Sequence, residues 1–515
     1  MQTGMGVGAA WLLPNLAGSI PVIRSASAHD HQPSADGKNR KGFIPGDPFV
    51  EPSVRSSANG VLDTTLRMRY GYKDIGGYRL YLRMYEDTVP GPTLRVKPGD
   101  VLRIKLINDM PPNRDAMPID HALPHQFNTT NFHSHGLHVS PGGICDNVMR
   151  IMEPGESYDI EIAIPVDHIP GTNWYHPHMH GSADIQIASG AVGALIIEGD
   201  FADVHEIAAA KERLLVLTEA VFDSFGMVED FATLFPETAA RFIAVNGVRE
   251  PTITMQPGEV QRWRLLHAGW QDDIFMELEG HTLNPIARDG IPLSRMGLSV
   301  PRKPDQPTDF PNALLIAPGQ RIDVLVQAGK PGSYKLRAVP YDQGYSSPTG
   351  PIAHLTVEGD PLTMGLPTKL PPPPEKIIGD EEITGSRVLT FSTRSPGTPE
   401  WRKFRFMIDG KSFDPDRVDQ RIRLGAVDEW TIANEDSNDD HVFHIHVNDM
   451  LLTKINGVPL SDPIWCDTAI VPRNGSITFR SRFLDFTGKY MLHCHMMNHE
   501  DLGMMQVVEV YADNQ

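Results

Sequence analysis

The sequence is short of cysteine, of positive charge and of long apolar runs. Its 515 residues contain three cysteines and no CxxC pair, which disfavours a zinc site built from several thiolates. Lys and Arg number 46 against 65 Asp and Glu, and the formal net charge of −19 disfavours nucleic acid or an anionic membrane surface as a partner. Beyond the N-terminus no segment is long and apolar enough to span a bilayer, so we expect no membrane partner.

Glycine and proline are by contrast abundant, at 45 and 44 residues. Both residues punctuate turns, and their density favours many short strands over long helices. The hydrophobic fraction of 40% is enough for packed cores. A chain of this length suggests about two to four domains. We therefore expect a multidomain protein rich in β-structure.

The N-terminal segment has the pattern of an export signal. Residues 4–23 are small and apolar, and an Ala-Ser-Ala triplet ending at Ala28 resembles a cleavage site. Two prolines within the apolar stretch disfavour a stable membrane helix. We predict an export signal at 1–28, a flexible polar leader at 29–60, and a periplasmic or secreted protein.

The rest of the chain contains a repeat with a period of roughly 160 residues, too long for a solenoid. Each unit has a turn followed by alternating apolar residues, as in KPGDVLRIKLIN at 97–108, QPGEVQRWRLLHAG at 256–269 and LGAVDEWTIANED at 424–436. Such alternation is typical of strands in a β-sandwich. We predict an all-β protein of three Greek-key β-sandwich domains, at 61–200, 213–360 and 385–515.

Histidines are concentrated at matching places of the first and third units. The middle unit has Lys335, Leu336 and Arg337 where they would fall, and we predict that it holds no metal. The four clusters are His133 and His135; His176 and His178; His441, His444 and His446; and His493, Cys494, His495, His499 and Met504. A single H-x-H pair is weak evidence, but four clusters in register with a repeat indicate one metal centre at the interface of the outer domains.

The order His493-Cys494-His495 indicates two metal sites joined by one strand. Alternate residues of a strand face opposite sides, so the two histidines point one way and the cysteine points the other. Cys494 with His441, His499 and Met504 supplies the donor set of a blue-copper electron-transfer site. The other eight histidines of the clusters suffice for three further ions, and neutral imidazole suits copper well.

These motifs resemble those of the three-domain multicopper oxidases of the laccase type, over nearly all of the chain from about residue 60. The resemblance implies a cupredoxin-like fold for each domain and four copper ions. It implies a type 1 copper at His441, Cys494, His499 and Met504, a type 2 copper at His133 and His444, and a type 3 pair at His135, His176, His178, His446, His493 and His495. It also implies that four one-electron oxidations of a small donor are coupled to reduction of dioxygen to two waters.

For the donor we favour phenols or aromatic amines, with dioxygen and this small reductant as the partners of a monomeric chain. The 21 methionines are dispersed, without a Met-rich insertion, which argues against a dedicated cuprous oxidase. The leading alternative is a cuprous or ferrous ion oxidase in metal tolerance. A copper-binding or structural protein without turnover is an alternative of another class, and the complete ligand set argues against it.

Water formation consumes protons at a buried cluster, so carboxylates are expected within hydrogen-bond reach of it. Asp146 follows the first histidine motif, and Glu500 directly follows His499. We predict that both residues supply protons, with an orienting role or an ion pair as the plainer alternatives. Asp467 is a further candidate for a place near the type 2 copper.

Cys145 and Cys466 are the cysteines left once Cys494 is assigned to copper. Each precedes an acid that we expect near the copper cluster, and an oxidising compartment favours disulfides. We predict a disulfide between them that joins the first domain to the third. Two unrelated buried thiols are the alternative.

A few residues near the motifs match no ligand position. We predict structural roles for His138, His168 and His180, and we expect Trp174 to pack under the cluster. The Asp439-Asp440 pair before His441 is predicted to be a solvated loop, with a place lining the substrate entrance as the alternative.

Overall fold

A computed structural model of the chain describes residues 43–114, 123–228, 231–234, 240–300, 309–394 and 404–513. The predicted export signal lies outside these ranges, as does the predicted leader up to residue 42. Among the helices of the described ranges, none has the length and apolar character needed to cross a membrane.

The first unit is a pair of packed sheets. Its strands are β1 Val54–Ser56, β2 Val61–Ile75, β3 Tyr78–Tyr85, β4 Thr93–Val96, β5 Val101–Asn108, β6 His133–His135, β7 Ser157–Ala163, β8 Gly171–His176 and β9 Gly193–Ile197, with helix α1 at Ala183–Ala188. One sheet has the order β3-β2-β5-β7 and the other β1-β4-β9-β8-β6. In β5 the apolar side chains of Leu102, Ile104 and Leu106 are buried and the intervening basic ones are exposed, as the alternation predicts.

Helix α2 at His205–Ala208 links the first unit to the second, which is also two-layered. The strands of the second unit are β10 Lys211–Phe222, β11 Ala240–Val245, β12 Val248–Arg249, β13 Thr252–Met255, β14 Val260–His267, β15 Ile274–Leu278, β16 Asn284–Arg288, β17 Ile291–Pro292, β18 Leu314–Ile316, β19 Arg321–Gln327, β20 Gly332–Ala338 and β21 Gly350–Val357, with a 3-10 turn at Phe231–Leu234. The two sheets have the orders β12-β11-β10-β14-β19-β16-β17 and β13-β21-β20-β15-β18.

The third unit repeats the plan and carries most of the predicted ligands. After a 3-10 turn at Asp380–Glu382 its elements are β22 Gly385–Arg394, β23 Arg405–Ile408, β24 Val418–Arg423, β25 Ala426–Asn434, β26 His441–Ile445, β27 Met450–Ile455, β28 Val458–Cys466, β29 Thr468–Val471, β30 Gly475–Phe483, β31 Gly488–Cys494, α3 Met497–Asp501 and β32 Met505–Tyr511. The sheet orders are β23-β22-β25-β30-β27-β28 and β24-β32-β31-β26-β29. The strands that carry ligands, β26 and β31, are therefore neighbours.

The described part of the predicted leader is not loose, and that prediction was wrong from residue 43 onward. Strand β1 pairs in parallel with β4 of the first unit. Phe49 packs against the core of the second unit, and its backbone N–H donates to Thr252 O at 3.0 Å. Backbone pairing and one half-buried aromatic ring outweigh the polar, Gly/Pro-rich composition on which the prediction was based.

Candidate metal centre

Three predicted type 1 ligands converge at the end of the third unit. His441 begins β26, Cys494 ends β31, and His499 lies in α3. The Nδ1 atoms of His441 and His499 are 3.0 Å apart, and Cys494 Sγ lies 3.7 Å from each of them. Met504 is fully buried beside them, where its N–H donates to His499 O at 2.9 Å and its carbonyl accepts the Cys494 N–H at 3.0 Å.

A second group of ring nitrogens forms a near-equilateral triangle. The Nε2 atoms of His178, His446 and His493 lie 3.1–3.3 Å from one another. His178 comes from the first unit, His446 directly follows β26 of the third, and His493 lies in the adjacent strand β31, one residue before Cys494. The strand β31 therefore carries a ligand candidate of each site, as its alternation predicts.

The remaining five histidines lie against this triangle. His495 Nε2 is 3.2 Å from His135 Nδ1, and the rings of His135 and His444 stack at 3.8 Å between centroids. The ring of His133 stacks on His446 at 3.9 Å, and pairing of β6 with β8 sets His133 opposite His176. Trp174 stacks on His176 at 4.2 Å, which confirms its predicted position under the cluster.

Hydrogen bonds on the outer side of the rings orient the inner nitrogens. His133 Nδ1 lies 3.0 Å from Asp146 Oδ2, His444 Nδ1 donates to the Asp467 carbonyl at 2.8 Å, and His176 Nδ1 donates to the Pro177 carbonyl at 2.8 Å. Each of these rings is left with an unprotonated Nε2 that faces inward. Such outer partners fix the tautomer and direction of metal-binding histidines.

The inner nitrogens fit a metal ion because they are buried and have no other partner. Within the described ranges, Nε2 of His133, His176 and His444 has no hydrogen-bond partner. Burial holds the pKa of His176 at about 3 and that of His178 at about 4, so both rings are neutral and their lone pairs are free. A cluster of neutral imidazoles beside a site of two imidazoles and a thiol suits copper.

Two of the predicted carboxylates contact this cluster at different rings. Asp146 Oδ1 accepts the Ser134 N–H at 2.9 Å while its other oxygen faces His133, and burial raises the pKa of Asp146 to about 7. Glu500 is fully buried, with Oε2 2.9 Å from His493 Nδ1 and Oε1 3.5 Å from His178 Nδ1.

Asp467 also contacts the cluster, and it does so with a neighbour that the sequence analysis missed. Asp467 Oδ1 lies 3.2 Å from His135 Nε2. The hydroxyl of Thr468 lies 3.3 Å from the same nitrogen and 3.2 Å from His444 Nδ1. A hydroxyl directly after a predicted acid is the signal that could have identified Thr468.

The predicted disulfide is absent, and that prediction was wrong. Cys145, Cys466 and Cys494 are all free cysteines. Cys145 packs against the core of the first unit, whereas Cys466 is buried in a separate core cluster that includes the third unit. The approach of Asp146 and Asp467 to one cluster therefore does not bring the preceding cysteines together, because each thiol packs in a different core cluster.

The Asp439-Asp440 pair is buried, with both residues 2% exposed, so the predicted solvated loop was also wrong. Asp440 Oδ1 accepts the Arg473 N–H at 2.8 Å. Burial raises the pKa of Asp439 to about 7. The loop is covered because residues of the second unit contact it, with the Asp440 N–H donating to the Gln343 carbonyl at 2.9 Å.

The protein has three two-sheet units, and the side chains between the first and the third suit copper. These features define a copper-dependent oxidoreductase. Family models described as multicopper oxidase match residues 121–201, 169–359 and 384–514. The chain belongs to the multicopper oxidase family, which confirms the predicted cupredoxin-like fold and implies four coppers, dioxygen and a reducing substrate.

Similar proteins match over most of the chain. The multicopper oxidase mco of Staphylococcus aureus is 25% identical over 485 residues, which cover 93% of this chain and 94% of the relative. A multicopper oxidase from Campylobacter jejuni, described as a metallo-oxidase, has a TM-score of 0.73 at 23% identity and covers 94% of this chain and 100% of its own. The laccase-like CueO of Ochrobactrum sp., described as acting on lignin model compounds, has a TM-score of 0.73 at 22% identity, with 90% and 100% covered.

Proposed function

We propose that the protein is a laccase-like oxidase that couples four one-electron oxidations of phenolic or aromatic-amine donors to the reduction of dioxygen to two waters. The observation that carries the proposal is the shared strand β31. It ends in Cys494, 3.7 Å from two type 1 imidazoles, and the adjacent His493 belongs to the imidazole triangle. One short covalent path thus joins a donor-side site to an oxygen-side site.

We propose the same copper ligands that the family resemblance implies. The type 1 ligands are His441, Cys494, His499 and Met504; the type 2 ligands are His133 and His444; and the type 3 ligands are His135, His176, His178, His446, His493 and His495. Copper bound at these ligands supplies one-electron redox chemistry and the reduction of dioxygen. The protein holds the rings neutral, excludes water by burial, and presents carboxylates for proton supply.

Asp146 and Glu500 are assigned to that proton supply. Both carboxylates are buried and lie within 3.0 Å of a cluster imidazole. They lie on different rings, Asp146 beside His133 and Glu500 beside His493, so protons reach the cluster from two sides.

An apolar cavity near the type 1 ligands favours an organic donor. The ring of His499 stacks on Phe406 at 4.0 Å between centroids with an interplanar angle of 16°. Among the described residues, a cavity of about 510 Å³ between the second and third units has no carboxylate in its wall. Its wall includes Ile470 of β29, which pairs with Val442 of β26 beside His441. An apolar cavity of this size suits a small organic molecule better than a hydrated cation.

A metal-ion donor is the second candidate, and one contact favours it. Asp436 Oδ2 lies 3.9 Å from His441 Nε2, with Asp439 buried nearby in the same loop. Carboxylate oxygens beside a type 1 ligand would attract a ferrous or cuprous ion.

Oxygen uptake by the copper-loaded protein separates these candidates. We expect uptake with a phenol and an aromatic amine to exceed uptake with cuprous or ferrous salt. Asp436→Asn is the matched variant, because it removes charge beside His441 without removing a ligand. Two results together would favour the second candidate. The parent would oxidise metal ions faster than organic donors, and Asp436→Asn would lose the oxidation of metal ions selectively. If none of these donors supports oxygen uptake, the remaining candidate is a copper-binding protein without turnover.

We also propose that the protein is exported, with processing after Ala28. The apolar stretch at 4–23 and the small residues before this position support the proposal. N-terminal sequencing of protein from the periplasm or medium should begin after Ala28. An intact N-terminus on cytoplasmic protein only would contradict it.

A further inference from the structure

The second unit supplies no predicted copper ligand, yet one of its turns reaches the cluster. Gly319 ends this turn and has a φ of 87°, which favours glycine. A Cβ placed there would lie 2.9–3.0 Å from ring atoms of His495. The backbone of the second unit therefore packs directly against the ring of a predicted type 3 ligand.

Arg321, two residues later, joins all three units. It is fully buried. Nη1 and Nη2 donate to Asp467 Oδ1 and Oδ2 of the third unit at 2.8 and 2.7 Å. Nε donates to the Thr172 carbonyl of the first unit at 3.0 Å. A side chain at Gly136, whose φ is 94°, would collide with the guanidinium, so the chain after His135 also fits this residue.

Asp467 in turn sets the protonation of His135. Because Asp467 Oδ1 is 3.2 Å from His135 Nε2, that nitrogen carries the proton, and Nδ1 faces His495 Nε2 at 3.2 Å. This is the reverse of His133, His176 and His444, whose Nδ1 faces outward. His135 thus needs a specific outer acceptor to present the other nitrogen.

We infer that Arg321 is a positioning residue of the copper cluster. The planar guanidinium holds both oxygens of Asp467, which fixes the carboxylate plane and keeps one oxygen on His135 Nε2. Without it the carboxylate would keep the Thr468 hydroxyl, 2.8 Å from Oδ1, as its side-chain donor, and its plane would no longer be fixed against His135 Nε2. The unit without copper ligands thereby controls one ligand of the type 3 pair. This inference rests on the proposed ligand assignment and is independent of the donor.

A plain structural ion pair between units would behave differently. It would affect stability but leave the spectroscopic properties of the cluster unchanged. Arg264 provides the matched control, because it is also buried, lies in the second unit and donates to Thr172 Oγ1 of the first at 2.8 Å. Its carboxylate partners are Asp200, Glu212 and Asp323, none of which contacts a predicted ligand.

The test compares Arg321→Lys with Arg264→Lys in the copper-loaded protein. Lysine keeps the charge but cannot bind both carboxylate oxygens in one plane. For Arg321→Lys we expect an unchanged blue type 1 absorption, altered type 2 and type 3 signals in electron paramagnetic resonance and absorption, and about tenfold or greater loss of cluster copper affinity against a chelator. Arg264→Lys should keep the cluster signals and copper content.

A second variant keeps the test decisive if Arg321→Lys does not fold. The pair Arg321→Met with Asp467→Asn removes both charges of the bidentate pair, while an amide oxygen remains for His135. Asp289, 3.7 Å from Arg321 Nη1, loses this cation but keeps the backbone N–H groups of Arg321 and Asp467 as donors. We expect the double variant to fold and to show the same altered cluster signals. Parental cluster spectra and copper retention in Arg321→Lys or in the double variant would overturn the inference, as would equal changes in Arg264→Lys. Oxygen uptake by the parent tests the proposed function separately.

Discussion

At the scale of single residues, Cys494 has the most distinctive chemistry. Burial raises the pKa of its thiol to about 12, so a bound cation is needed to stabilise the thiolate. We expect Cys494→Ser to lose the intense blue absorption and turnover while retaining the fold, because serine is of similar size and cannot form the copper–thiolate bond. Visible absorption and circular dichroism test this. A variant that stays blue would refute the assignment of Cys494.

Asp146 allows a test of proton supply without loss of a ligand. Asparagine would keep the oxygen that accepts the Ser134 N–H, but it cannot carry a proton. At equal copper content we expect Asp146→Asn to reduce turnover by about a hundredfold or more, the usual scale for loss of a proton-transfer group. Steady-state oxygen uptake measures the effect. Turnover equal to that of the parent across pH would remove Asp146 from the proton route.

His168 makes stability depend on pH away from the copper ligands. Burial lowers the pKa of His168 to about 4, and its Nε2 accepts the His138 N–H at 3.0 Å. The neutral ring stabilises the fold above pH 6.5, and this contribution is lost as the pH falls from about 6.5 to about 4, because only the unfolded chain binds the proton there. Between pH 7 and pH 5 we expect a loss of about 2 kcal/mol. Thermal unfolding of His168→Gln should show a correspondingly smaller decrease over that range, and an equal decrease would contradict the assignment.

The sequence predicts some functional residues and not others. The copper ligands were visible because their spacing repeats, and the structure brings eleven of them into close ring or sulfur contact. Arg321 was not visible, because its partner Asp467 lies 146 positions away and only the packing of three units brings them together. The prediction of a disulfide between Cys145 and Cys466 was wrong because the local sequence does not show which way each side chain points.

At the scale of elements, β1 and the segment before it act as a strap between two units. Glu51 pairs with Arg213 at 3.3 Å, and the half-buried Phe49 packs against the core of the second unit. We expect a chain starting at residue 61 to unfold several degrees below one starting at residue 43, because β4 would lose its parallel neighbour β1. Differential scanning calorimetry of the two chains tests this. Equal unfolding temperatures would mean that the strap contributes no stability.

The strands themselves were the more predictable elements. The alternation of apolar residues predicts where β5, β14 and β25 lie, because each of these strands buries one or both faces in a sandwich. The strap was missed because its residues lack that alternation, and its order comes from pairing with strands that the local pattern does not reveal.

At the scale of the whole molecule, copper should stabilise the assembly of units. Buried ring nitrogens without partners are unfavourable in the metal-free protein, and an ion that binds only the folded state raises stability by mass action. We expect removal of copper by a chelator to lower the unfolding temperature and reloading to restore it. Calorimetry on both forms measures the change. Identical unfolding temperatures would indicate a cluster that contributes nothing to cohesion between units.

The ligands of the cluster lie far apart in the chain, from His133 to His495. During biosynthesis the early ligands emerge long before the late ones, so a nascent chain displays only half of each shared site. A product that stops before Gly488 has no β31 and therefore neither the thiol nor the bridging histidines. A complete cluster can therefore form only on a chain that extends past His495, and we expect products that stop before Gly488 to lack the blue absorption.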